Sequence, residues 1–78
     1  MTYQDVKNIA YELGWAVSLE ERRLYFYFCG EKDYSFTIWA NSAGELISKI
    51  QLLAFNYAEN KPFKEKLDEL ARLLVKDL

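Results

Sequence analysis

The chain has 78 residues, 51% of them apolar and 17% aromatic, which is enough for one hydrophobic core and too little for two. Ten basic against twelve acidic residues leave a net charge of −2, which argues against a binder that grips nucleic acid through a basic face. No apolar run approaches the roughly 18 to 20 residues of a bilayer span, and residues 1–5 lack the basic-then-apolar order of a secretory signal.

A first helix is predicted from Thr2, which can cap it, with Asp5 at the capping-box position. Val6, Ile9, Ala10 and Leu13 follow at helical spacing, and Gly14 is placed to stop the helix. The period then changes to two. Trp15, Val17 and Leu19 alternate with Ala16 and Ser18, and Leu24, Phe26 and Phe28 with Tyr25, Tyr27 and Cys29. Tyr34, Phe36 and Ile38 alternate with Ser35, Thr37 and Trp39. Parity sets the register, because cross-strand partners must point to one face. A tight turn at Glu21 and Arg22 pairs Leu19 with Leu24, Val17 with Phe26 and Trp15 with Phe28. A loop centred on Glu31 pairs Phe28 with Tyr34, Phe26 with Phe36 and Leu24 with Ile38. The turn has no Asn-Gly signal, so its type stays open.

Ser42 and Glu45 form a capping-box pair that opens a second helix running to about residue 58. Leu46, Ile47, Ile50, Leu53, Ala54 and Tyr57 make its apolar face. Leu52 and Phe55 lie on the opposite side and are expected to pack under a third helix. Pro62 belongs in the first turn of that helix, whose stripe is Phe63, Leu67, Leu70, Ala71 and Leu74, flanked by Leu73, Val75 and Leu78. The fold class is therefore α+β in a single domain over residues 1–78. It is a three-stranded antiparallel meander of order 1-2-3 with helices packed on one face, in the order αβββαα. Covering of Leu52 and Phe55 favours a monomer over a homodimer.

Chemistry is narrowed mainly by missing groups. There is no His, so the commonest general base and zinc ligand is lacking. Cys29 stands alone, without a partner for a disulfide or a CxxC site, and Gly14, Gly30 and Gly44 are too far apart to cradle a phosphate. Adjacent acids such as Glu20 and Glu21, or Asp68 and Glu69, do not converge on one substrate from a strand or helix. No catalytic residue, metal or cofactor is expected, and the chain is not read as an enzyme. A single cysteine fits a reducing compartment, so the expected location is cytoplasmic.

The face away from the helices should carry Ala16, Ser18, Tyr25, Tyr27, Cys29, Ser35, Thr37 and Trp39. Tyr25 falls between Ser18 and Thr37, and Tyr27 between Ala16 and Ser35, so two tyrosines form a ridge on the central strand. Tyrosine and threonine are good strand formers on any half-wet face. Large rigid side chains with polar tips also make contact surfaces. Arg23 should sit opposite Trp39, within range of a cation–π contact. Glu20, Glu21, Glu31 and Asp33 gather at the hairpin ends, where they could rim a surface for a basic partner. The candidate partner-binding residues are thus Tyr25, Tyr27, Trp39, Glu20, Glu21, Glu31 and Asp33. The expected partner is another protein. Stacking of unpaired bases on the tyrosines is the alternative, opposed by a strand region whose basic residues are only Arg22, Arg23 and Lys32.

Two families share the order of elements. The double-stranded-RNA-binding domain has αβββα with a basic cluster opening its last helix, but here that segment reads Asn41, Ser42, Ala43, Gly44, Glu45, with Lys49 the nearest base. The full αβββαα order resembles small phage-encoded anti-CRISPR proteins, a likeness of topology without a sequence motif. That resemblance implies an inhibitor that occupies the DNA-binding surface of a host nuclease complex with acidic and polar groups on strand ends and loops. Glu20, Glu21, Glu31, Lys32 and Asp33 fall at such places.

Overall fold

The structure is a computed structural model that describes residues 2–29 and 34–77. Helix α1 spans Tyr3–Glu12 and begins with a complete capping box. The Thr2 hydroxyl accepts from the Asp5 N–H at 3.2 Å, and the Asp5 carboxylate accepts from the Thr2 N–H at 2.8 Å. The helix ends because Gly14 takes φ +92°, a conformation that costs other residues heavily. A side chain is unwelcome there for a second reason: a Cβ on Gly14 would sit 3.0 Å from the Phe28 ring.

Strands β1 (Trp15–Glu20), β2 (Arg23–Phe28) and β3 (Ser35–Trp39) form one antiparallel sheet in the order β1-β2-β3. Trp15 pairs with Phe28, Val17 with Phe26 and Leu19 with Leu24, while Phe26 pairs with Phe36 and Leu24 with Ile38. The Phe28 N–H also donates to the Tyr34 carbonyl at 2.8 Å. These are the registers that parity requires. Glu21 carries the reversal at φ 58°, so the two-residue turn has positive φ at its first central position.

Helix α2 spans Ala43–Asn56, and α3 spans Lys61–Lys76 with Pro62 in its first turn. The Ser42 hydroxyl accepts from the Glu45 N–H at 3.1 Å, but Glu45 reaches back to the N–H of Asn41 rather than of Ser42. Its other oxygen meets the Lys49 ammonium at 2.9 Å, and this second tether draws the carboxylate away from the usual geometry. Helix α2 stops two residues short of the expected end. The Asn60 N–H bonds back to the Tyr57 carbonyl, and the Asn60 side chain then caps α3.

All three helices lie on the Val17–Phe26–Phe36 face. The core holds Val6 and Ala10 of α1, Trp15, Val17, Leu24, Phe26, Phe36 and Ile38 of the sheet, and the inward stripes of α2 and α3. At its centre Phe26 and Phe36 stack with centroids 4.7 Å apart, and Trp15 meets Phe36 edge-on at 5.2 Å. Phe63 of α3 stacks on Tyr34, which ties α3 to the start of β3. No helix of the described residues is long and apolar enough to cross a membrane.

Three expectations of burial fail. Tyr57, expected on the apolar face of α2, lies just beyond its last residue and is exposed. Leu52 and Phe55 do not pack under α3; they are 60% and 76% exposed. The sheet and α3 share one arc of α2, formed by Leu46, Ile47, Ile50 and Ala54, and helical geometry puts Leu52 and Phe55 on the far side of that arc. The ground for expecting a monomer is thereby removed. Leu19 has core-facing parity, yet it is 46% exposed because it stands near the end of β1, beside an open cavity.

Candidate functional site

The sheet face without helices is open. Ala16, Ser18, Tyr25, Thr37 and Trp39 are exposed there, and Ser35 is half-buried. Strand alternation produces this face: the same register that buries Phe26 turns Tyr25 outward between Ser18 and Thr37. Tyr25 is 43% exposed and Trp39 54%. Tyr27, between Ala16 and Ser35, is half-buried, so the expected ridge of two tyrosines stands mainly on Tyr25. At the other end of the face the Arg23 guanidinium lies 5.5 Å from the centre of the Trp39 ring, its cross-strand neighbour. The pair makes a flat cationic–aromatic shelf beside Tyr25.

Glu20 and Glu21 are exposed at the first hairpin, but Arg22 and Arg23 follow directly and Glu20 pairs across the strands with Arg23. This corner is charge-mixed rather than acidic. Glu31 and Asp33, the acids expected at the other end, lie outside the described residues, as do Gly30 and Lys32. Cys29 is exposed and without a disulfide. Among the described residues no group of three or more acids and cysteines is placed to hold a metal ion.

Two concavities border the sheet. One, of about 310 Å³, lies at the first-hairpin end, where the caps Thr2 and Ser42 meet Leu19, Arg22, Leu24 and Leu46. The acids closing those caps titrate low. Hydrogen bonds from Thr2 hold the Asp5 carboxyl below its ordinary value, and bonds from Lys49 and the Asn41 N–H do the same for Glu45. The other, a groove of about 280 Å³, runs between β3 and α2 and is lined by Thr37, Trp39, Lys49, Leu52, Leu53 and Asn56. Lys49 spans it, donating to the Trp39 carbonyl while paired with Glu45. Sequence reasoning missed this groove. Its signal in the sequence is the position of Leu52 off the apolar face of α2.

No protein-family model, curated protein or solved structure matches the chain.

Proposed function

We propose that this protein is a non-enzymatic, cytoplasmic module that binds another protein through the open sheet face, with Tyr25, Trp39 and Arg23 at the centre of the contact. The observation that carries this reading is the exposure of Tyr25 and Trp39, side by side with an arginine, on a face that no helix of the described residues covers. Tyrosine, tryptophan and arginine are the residues in which interface binding energy concentrates. Tyrosine and tryptophan, with two side-chain torsions each, lose little entropy when docked, and the strands beneath them hold them in place. Tyr27 fills the inner part of the contact, and Glu20 and Glu21 act as rim charges that set partner choice and association rate, a role that the sequence positions of Glu31 and Asp33 would extend. The αβββαα order, through its resemblance to anti-CRISPR proteins, points to a host nuclease complex as the partner.

The test replaces Tyr25 and Tyr27 together by Thr, which keeps strand propensity. Wild type and variant are each assayed for inhibition of purified CRISPR nuclease complexes and for direct binding to them. The variant should fold normally and lose over tenfold in affinity, at about 2 kcal/mol or more for a central aromatic. Unchanged affinity with the fold intact would exclude this face. Single-stranded oligonucleotides serve as the parallel probe, and tight binding that the double variant abolishes would replace the protein partner by a nucleic acid.

A further inference from the structure

We infer that the outer face of α2 is a two-fold contact between two copies of this chain, with Leu52 on the axis. The surface meets the sheet face at Trp39 but is centred on Leu52 and Phe55, which the proposed partner contact does not use, so substitutions there separate the two readings. Leu52 and Phe55, one turn apart, form an apolar stripe, and Leu52 continues across the groove to Trp39. Together these three side chains offer on the order of 400 Å² of accessible area, comparable to the largest patch on a typical monomer. A stable interface needs about 800 Å² from each partner, and the exposed Thr37, Ser48, Lys49, Gln51 and Asn56 around the stripe can supply the difference.

Charge favours a second copy laid antiparallel. The last turn of α2 has no basic residue to match the partial negative charge of its C-terminus. Reversing the helix about Leu52 puts Lys49 of one copy opposite Phe55 and Asn56 of the other, against that turn. Two of the three ammonium donors of Lys49 are taken by Glu45 and the Trp39 carbonyl, which leaves one for the second helix. Each contact occurs twice, as an isologous interface requires.

Sedimentation equilibrium tests the inference, over concentrations a hundredfold to either side of an expected Kd of about 10 µM. Wild type should pass from monomer to dimer across that range. Leu52→Glu, and independently Phe55→Ser, should weaken association more than tenfold while circular dichroism stays unchanged. In a Cys29→Ser background, Leu52→Cys should oxidise to a covalent dimer much faster than Glu69→Cys on the outer face of α3, because only residues at the axis come within disulfide reach of their own copies. A wild type that is monomeric throughout, a dimer that both stripe substitutions leave intact, or equal cross-linking at the two positions would each overturn it.

Discussion

Two residues at the ends of β1 show how backbone conformation separates similar-looking positions. Gly14 and Glu21 both have positive φ, but only the first is a glycine. Gly14→Ala brings a left-handed penalty of about 1–2 kcal/mol, and its new methyl presses on the Phe28 ring, which belongs to the packed end of the sheet. Glu21→Gly removes such a penalty at an exposed turn where no described hydrogen bond uses the carboxylate. The expected outcome is opposite signs: Gly14→Ala lowers stability, whereas Glu21→Gly raises it by about 0.5 kcal/mol, the relieved strain less the extra chain entropy of glycine. A Glu21→Gly denaturant midpoint at or below wild type would mean that the strain at the turn is no larger than the entropy cost of glycine. The need for a stop at Gly14 was legible in the sequence, because it closes a helical period. The strain at Glu21 was not, since hairpin register follows from parity whatever the turn type.

At the scale of elements, the strands were the most readable part. Alternation over five or six residues fixes both face and partner, so every pairing from Trp15–Phe28 to Leu24–Ile38 follows from counting. Helices are less constrained by pattern alone. The arc of α2 that meets both sheet and α3 is one arc rather than two, and that depends on how three helices share a small sheet. Helix starts are local and were readable, and they carry a pH signature. The folded-state carboxyls of Asp5 and Glu45 titrate below their ordinary values. Their stabilising contributions are therefore fully present above the unfolded values, near pH 4, and are lost as pH falls through the lower folded values. Thermal melts of wild type and Glu45→Gln should differ at pH 7 and converge as acid protonates the folded-state carboxylate. A gap that persists unchanged into acid would show that the carboxylate charge contributes nothing. The acid rim of the candidate site was the weakest reading at this scale, since Arg22 and Arg23 neutralise its first half and Glu31 and Asp33 lie outside the described residues.

The whole molecule holds its two tryptophans in opposite environments. Trp15 is fully buried, and among the described residues its indole N–H has no hydrogen-bond partner, whereas Trp39 is half in water on the open face. Fluorescence should resolve into a blue component inaccessible to acrylamide and a red component that acrylamide quenches. Trp39→Phe should abolish the red component alone, and a partner docked on the sheet should shield it. Quenching of the remaining emission in folded Trp39→Phe would show that Trp15 is not enclosed.

Helix α3 touches both α1 and α2, and it brings Phe63, Leu67, Leu70 and Leu74 into the middle of the core. A chain made at about 5–20 residues per second spends its first seconds without the helix that covers Phe36 and joins the two others. The aromatic sheet residues must therefore wait, uncovered, until α3 has left the ribosome. The sheet is expected to complete its packing only once α3 is present, and a truncation within α3 to leave an aggregation-prone sheet in place of a smaller folded protein.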